Sequence, residues 1–159
     1  MADIVSSDVR SRMMSGIRAV NTKPELRIRR LLHARGFRYR LHDRSLPGTP
    51  DIVLPGLRAV IFVHGCFWHR HECDLFRMPG TRRRFWEAKV NRNRAVDMAA
   101  QEALRRAGWR VALVWECAMR GRDRFTDDEM AERLDRWLTG KRRFLELPKS
   151  AAGLMRRWT

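Results

Sequence analysis

Residues 64–73 read HGCFWHRHEC and contain three of the chain's five histidines and two of its three cysteines. Cysteine thiolates and histidine imidazoles are the ligands that bind structural Zn²⁺ tetrahedrally. Histidine also transfers protons near neutral pH, because its unperturbed pKa is about 6.5. This segment therefore combines candidate metal ligands with candidate proton-transfer groups, and two large aromatic residues, Phe67 and Trp68, lie between them.

The third cysteine provides a further candidate ligand. Cys66 follows the apolar segment 58–63, and Cys117 follows the apolar segment 110–115. If these segments are neighbouring parallel strands, both cysteines lie at the same edge of the sheet. We therefore predict a structural zinc site with three thiolates and one imidazole as ligands, namely Cys66, His71, Cys73 and Cys117. The alternative is three unconnected free cysteines.

Within residues 64–73, His64 and His69 are not among the predicted zinc ligands and are therefore candidates for proton transfer. Asp51 opens a short apolar segment, and a hairpin centred on residue 57 pairs it with Val63. The Asp51 carboxylate and the main-chain carbonyl of Val63 would then share one hard cation, because such cations prefer oxygen ligands. A water at that cation, deprotonated by His69, would attack a phosphodiester, and His64 would assist or bind phosphate. The alternative for Asp51 is a turn cap.

The net charge of +16, from 34 basic and 18 acidic residues, indicates a polyanionic partner. Binding to nucleic acid releases counterions from the phosphates and so favours such a charge; the alternative is a generally arginine-rich proteome. Phe67, Trp68 and Trp86 would stack on bases or enter between base steps, with burial in a core as the alternative. The arginines at 82–84 are placed to meet phosphates.

The length of 159 residues fits a single domain. No apolar run approaches the roughly 20 residues of a membrane span, so we expect no membrane association. An odd number of cysteines is unsuited to a disulfide framework, which favours a reducing cytoplasm.

Hydrophobic periodicity and turn residues predict seven elements in the order α-β-β-β-α-β-α. They are a helix from the capping box Thr22–Glu25 to Gly36, strands over 37–41, 51–54 and 58–63, a helix over 81–107, a strand over 110–115 and a helix over 126–138. The apolar face of the long helix is predicted to include Phe85, Val96, Ala99, Ala100, Ala103 and Ala107. Because that helix connects the third and fourth strands, these strands are predicted to be parallel, in a mixed sheet between helices.

Three segments resemble the very short patch repair (Vsr) mismatch endonucleases: LPGTPDIV (46–53), VIFVHGCFWHRHEC (60–73) and GWRVALVWECAMRG (108–121). The likeness extends from about residue 8 to 140. It implies an α/β fold with a restriction-endonuclease-like core and a zinc loop, and a nick 5′ to the thymine of a T:G mismatch that arises from 5-methylcytosine deamination. It also implies a bacterial, nucleoid-associated monomer that hands its product to other repair proteins. We expect an N-terminal DNA-clamping arm (1–20), an endonuclease domain (21–140) and a loosely held basic tail (141–159).

The resemblance implies a role for each matching position. Asp51 and the Val63 carbonyl would hold Mg²⁺, and His69 would be the general base, supported by His64, Glu25 and Asp97. Zinc would bind Cys66, His71, Cys73 and Cys117, and Phe67, Trp68 and Trp86 would intercalate beside the mismatch. Two departures are visible: position 63 is commonly threonine in the family, and the lysine usual in the wider nuclease superfamily is replaced by histidine. From local sequence alone, Glu25 is interpreted as the reciprocal member of the capping box.

Overall fold

The computed structural model describes residues 20–148. Residues 1–19, which are all but the last residue of the predicted arm (1–20), and residues 149–159 lie outside the described residues. The elements are α1 (Lys23–Ala34), β1 (Arg40–Leu41), β2 (Ile52–Leu54), a 3₁₀ turn (Pro55–Leu57), β3 (Ala59–His64), α2 (Arg83–Arg106), β4 (Arg110–Trp115), α3 (Cys117–Arg120), α4 (Asp127–Thr139) and β5 (Phe144–Leu147). Within 20–148, no helix is both long and apolar enough to cross a bilayer.

The strands form one mixed sheet in the order β1-β2-β3-β4-β5. The pairs β1–β2 and β2–β3 are antiparallel, whereas β3–β4 and β4–β5 are parallel. The predicted parallel pairing of β3 with β4, joined by the long helix, is confirmed. Every residue of β3 and β4 is buried except Val63 and Arg110, which are half-buried. Such continuously apolar strands are typical of a parallel sheet that is covered on both faces.

The sheet is covered by α1 and α4 on one face and by α2 on the other. Ile28 and Leu32 of α1 pack with Leu134 of α4 and with the side chains of β2, β3 and β4 that face them. Leu104 of α2 packs against the opposite face of β3 and β4. Two separate cores therefore fix the sheet, and both end at the strand termini where the candidate functional residues lie.

Two helix starts show how the local sequence sets the boundaries. At α4, Thr126 and Glu129 form the full capping box, in which each side chain accepts the main-chain N–H of the other residue. At α1, the Thr22 hydroxyl accepts the Glu25 N–H, but the Glu25 carboxylate accepts the Asn21 N–H at 2.9 Å rather than that of Thr22. The interpretation of Glu25 as a reciprocal capping residue is therefore wrong.

The predicted apolar face of the long helix is also wrong, except at Ala100, which is buried. Phe85 and Val96 are 43% and 58% exposed. The buried positions of α2 are Trp86, Val90, Ala100, Gln101 and Leu104. Alanines carry little apolar area, so the helix is oriented by its few large side chains rather than by the alanine pattern.

The predicted tail contributes an element of the sheet. Residues 144–147 form β5, which pairs with β4, and Leu147 is 4% exposed. The one-turn helix α3 is the second addition to the predicted order, and the predicted first strand shortens to Arg40–Leu41. A four-residue edge strand has too short a pattern to be recognised locally.

We predict that Leu147→Ala lowers the free energy of unfolding by about 2–4 kcal/mol, because it leaves a cavity under the edge strand. Chemical denaturation followed by circular dichroism measures this change. Leu57→Ala is the matched control, since Leu57 is 38% exposed and its truncation creates no cavity. Equal stability of the two variants would show that β5 does not contribute to the fold.

Candidate active site

The candidate site lies where β3 and β4 end and β2 begins. The hairpin register between β2 and β3 is Ile52↔Ile61, Val53↔Val60 and Leu54↔Ala59. Asp51 therefore faces Phe62, and the predicted pairing with Val63 is wrong by one residue. The 3₁₀ turn and Arg58, which adopts the left-handed conformation with φ 47°, displace the centre of the hairpin by half a residue.

The shifted register still joins Asp51 to Val63. The Val63 N–H donates to Asp51 Oδ2 at 2.8 Å. The N–H and C=O of one strand residue point toward the same neighbouring strand, so the Val63 carbonyl oxygen faces the Asp51 side as well. The two oxygen ligands expected for a hard cation are thus on the same side of β3, brought together through a main-chain N–H instead of through direct strand pairing.

A second carboxylate and an imidazole lie beside Asp51. Ligand atoms of Glu25, His42 and Asp51 all lie within 4.8 Å of one another. Glu25 is only 1% exposed, and its carboxylate pairs with Arg29 and with His42 Nε2. Neither His42 nor Arg29 has a predicted role, although the pairing of β1 with β2 places residue 42 next to residue 51.

Burial raises the pKa of Asp51 to about 6, and the negative charge of Glu25 adds to this effect. The Val63 N–H and the positive charges of His42 and His69 act in the opposite direction without cancelling it. Ionisation of Asp51 is therefore less favourable in the folded protein than in water, and a bound cation would favour it. Its oxygen, the Val63 carbonyl and the nearby Glu25 form a donor set that fits a hard divalent cation.

His69 lies close enough to Asp51 for its charge to act on that carboxyl, and His64 stacks on His69. Their rings stack with centroids 3.8 Å apart and an interplanar angle of 5°. His69 Nδ1 is hydrogen-bonded to the Asp97 carboxylate of α2. With Asp97 as the acceptor, Nδ1 carries the proton and Nε2 becomes the proton acceptor, which is the arrangement of a general base.

The predicted zinc ligands come together at the same edge. Cys66, His71, Cys73 and Cys117 place one ligand atom each within 4.8 Å of all the others. His71 Nδ1 lies 3.7 Å from Cys66 Sγ and 3.5 Å from Cys117 Sγ. Bond lengths of about 2.3 Å to sulfur and about 2.05 Å to nitrogen in a tetrahedral site place these atoms roughly 3.6 Å apart. Cys66, His71 and Cys117 therefore have the spacing of a tetrahedral metal site, and Cys73 lies within 4.8 Å of them.

The surroundings of Cys66 and Cys73 favour the protonated thiols unless a cation replaces the protons. The Cys117 thiol and burial raise the pKa of Cys66, and burial raises that of Cys73. Metal binding to cysteine displaces these protons and stabilises the thiolates. The Cys117 N–H also donates to Cys66 Sγ at 3.3 Å, which supports a thiolate at Cys66.

Trp115, the last residue of β4, connects the two groups of side chains. Its ring stacks on His71 at 4.1 Å and meets the edge of His64 at 5.2 Å. Its indole N–H donates to Glu146 of β5 at 2.9 Å. From the sequence, Trp115 is predicted only as part of a buried strand. Its contact with His64 depends on the parallel register His64↔Trp115.

The predicted intercalating residues form one aromatic cluster. Phe67, Trp68 and Trp86 meet in edge-to-face contacts with centroids 5.1 to 6.0 Å apart. Phe67 and Trp68 are half-buried and Trp86 is 6% exposed, whereas Phe85 on the outside of the cluster is 43% exposed. The Lys89 ammonium lies 5.7 Å from the Trp68 ring centre, and the side chains of residues 82–84 are exposed nearby. The cluster thus borders a basic surface.

Comparisons with known proteins show similarity to DNA mismatch endonucleases and nicking enzymes. The sequence profile of the DNA mismatch endonuclease Vsr matches residues 2–75. The chain is 45% identical to the DNA mismatch endonuclease Vsr of Escherichia coli (strain K12) over 141 residues, which cover 89% of this chain and 90% of the relative. It is 49% identical to the type II nicking enzyme V.XorIIP of Xanthomonas oryzae pv. oryzae, over 75% of this chain and 88% of the relative. The type II nicking enzyme V.NmeAIP of Neisseria meningitidis is 38% identical, over 77% and 87%.

The raised pKa of Asp51 predicts a stability change with a definite sign. The carboxyl ionises near pH 3.8 in the unfolded chain and near 6 in the folded one. Between these values the folded state binds more protons, so its free energy of unfolding falls as the pH rises, and the full loss is present above about pH 6. Asp51→Asn should therefore be more stable than the parent chain by about 1–2 kcal/mol at pH 7.5 without divalent cations, allowing for solvent screening of a half-buried group.

Denaturation in EDTA across pH 4 to 7.5 measures this gain, which should shrink toward pH 4. Asp43→Asn is the control. A hydrogen bond from the Ser45 side chain lowers the pKa of Asp43, so replacing this carboxylate by an amide should not increase the free energy of unfolding. Asp51→Asn that is no more stable than the parent chain at pH 7.5 contradicts the prediction.

Proposed function

The chain belongs to the DNA mismatch endonuclease Vsr family and is a DNA endonuclease, and we propose that it nicks double-stranded DNA 5′ to the thymine of a T:G mismatch. Such mismatches arise when 5-methylcytosine deaminates. The observation that carries the chemistry is the contact of Asp51 with Val63 beside the stacked pair His64 and His69. One chain holds all of these groups, which supports action as a monomer.

The cation is proposed to be Mg²⁺, with Asp51 and the Val63 carbonyl as its protein ligands. When bound, Mg²⁺ supplies positive charge that stabilises the transferred phosphate. Glu25 adds a second negative charge on the same side of the site, where it is held by Arg29. The donors are oxygens, in agreement with a hard cation, and the raised pKa of Asp51 predicts that protons compete with the cation below about pH 6.

His69 is proposed as the general base. Its hydrogen bond to Asp97 fixes the tautomer, so that Nε2 accepts a proton from the attacking water. The Asp97 carboxylate also stabilises the imidazolium that forms. The flat stack of His64 on His69 limits rotation of the base. His64 is proposed to bind a phosphate oxygen.

The Cys66, His71, Cys73 and Cys117 cluster is proposed to bind structural Zn²⁺. Three sulfurs and one nitrogen at tetrahedral spacing, with no fifth ligand position needed, are typical of closed structural sites. The site would fix the loop that carries both His69 and the aromatic residues. The geometry of the base is therefore expected to depend on an ion that takes no part in the chemistry.

The aromatic cluster supports recognition of a weakened base pair. Phe67, Trp68 and Trp86 would enter the base stack beside the mismatch, and this requires the cluster to open, since Trp86 is buried. A T:G pair is easier to unstack than a matched pair, so intercalation favours it. Residues 1–20 would clamp the duplex, and other repair proteins would act on the nicked product.

We predict nicking of a T:G duplex in Mg²⁺, with a rate at least about a hundredfold above that of T:A and C:G duplexes in the same flanking sequences. Labelled duplexes with several different flanks measure single-turnover rates, and EDTA should abolish them. His69→Ala should bind the T:G duplex normally and nick it about a hundredfold more slowly or worse. Equal rates on all three duplexes would indicate a nuclease with another target, and tight binding with no cleavage would indicate a DNA-binding module.

The zinc proposal predicts about one zinc per chain in the purified protein. Metal analysis of the parent chain and of Cys117→Ser tests this, and the variant should lose zinc and cooperative unfolding together. Active protein that contains no zinc would rule the proposal out.

A further inference from the structure

His42 lies directly beside the proposed cation ligand. The β1–β2 register Arg40↔Val53 and Leu41↔Ile52 continues with His42 opposite Asp51, and the His42 N–H donates to the Asp51 carbonyl oxygen at 3.2 Å. Directly opposed residues have side chains on the same face of a sheet. His42 also adopts the left-handed backbone conformation, with φ 48°, which few non-glycine residues do. Strand pairing therefore places this imidazole at the cation site.

The imidazole contacts the buried carboxylate rather than Asp51 itself. His42 Nε2 lies 2.5 Å from Glu25 Oε1, and the Arg29 guanidinium binds the same oxygen. The Asn21 N–H donates to the other oxygen, Oε2, at 2.9 Å. Both oxygens of Glu25 are thus held by donors, and the imidazole is the donor on the Asp51 side.

This arrangement separates two possible roles of His42. A divalent cation bound jointly by Glu25 Oε1 and His42 Nε2 would lie against the positive charge of the Arg29 guanidinium, which contacts both of these atoms. The donor set formed by Asp51 and the Val63 carbonyl carries no such obstacle. The imidazole therefore acts on the cation indirectly, through the carboxylate that it orients.

We propose that His42 is a positioning residue of the cation site: it orients the Glu25 carboxylate toward the Asp51 side and so sets the affinity for the divalent cation. This inference rests on the proposed Mg²⁺ site. Hydrogen-bond partners of residues around a metal typically change its affinity 10- to 100-fold when they are lost. The contact also keeps two carboxylates, Glu25 and Asp51, together within 4.8 Å in spite of their repulsion.

The test compares His42→Leu with His42→Gln, whose amide replaces the donor at Nε2. Mn²⁺ is the probe, and its dissociation constant from the full-length protein bound to a T:G duplex is measured by electron paramagnetic resonance. His42→Leu should raise that constant at least about tenfold, and His42→Gln should restore most of the affinity. Single-turnover nicking at increasing Mg²⁺ should show the same shift, with a smaller change in the rate at saturation. His33→Leu, on the exposed side of α1, is the control and should match the parent chain.

Thermal unfolding of each variant separates positioning from a structural role. A lower unfolding temperature for His42→Leu with unchanged Mn²⁺ affinity would overturn the proposal, as would equal affinities of the Leu and Gln variants. A nitrogen coupling in the Mn²⁺ spin-echo spectrum that disappears in both variants would make His42 a direct ligand, which would also overturn it. A parent chain that binds Mn²⁺ but does not nick any duplex would refute the proposed function and leave the comparison of affinities intact.

Discussion

Six residue pairs join β3 to β4 in parallel register, from Ala59↔Arg110 to His64↔Trp115. Because the two strands run in the same direction, their last residues lie at the same edge of the sheet, and the loops that follow start side by side. Cys66 and Cys117 lie two residues beyond these last positions, and their sulfurs meet near His71. The same pairing places Trp115 against His64. An antiparallel pairing would separate these groups by the length of the strands, about 20 Å for six residues.

The candidate site lowers the free energy of unfolding of the protein. Asp51 and Glu25 lie close together with limited access to solvent, and the pKa of Asp51 is raised in consequence. Folding tolerates this arrangement because the parallel strands and the helices on both faces supply a large apolar core elsewhere. Sites that bind cations commonly combine local destabilisation with a well-packed scaffold, since the ligand supplies the missing stabilisation. The left-handed backbone at His42 belongs to the same pattern, because a less favoured conformation is retained where it orients a side chain of the site.

Trp115 contacts both the candidate metal ligand His71 and the pair His64 and His69. One face of its ring lies on His71 and its surroundings include both His64 and His69, while Glu146 holds its indole nitrogen. A shift of the loop that carries His71 would therefore move the Trp115 ring, which also limits the position of His69, the proposed general base. The edge strand β5 takes part in this arrangement through Glu146, so that part of the chain beyond residue 140 supports the site as well as the sheet.

Residue types, spacing and apolar segments in the sequence determined the chemistry offered by 64–73, the parallel crossover and most helix and strand positions, because each depends on local periodicity and on chain connectivity. The hairpin register, the exposure of Phe85, the strand at 144–147 and the approach of His42 to Glu25 were decided only in the tertiary structure. Each of these depends on how an element is shifted or rotated by a single residue, and such a shift changes the neighbours of every side chain while it hardly alters the local pattern. Packing of the whole chain selects the final position, since only the complete core favours one register or helix orientation over the next.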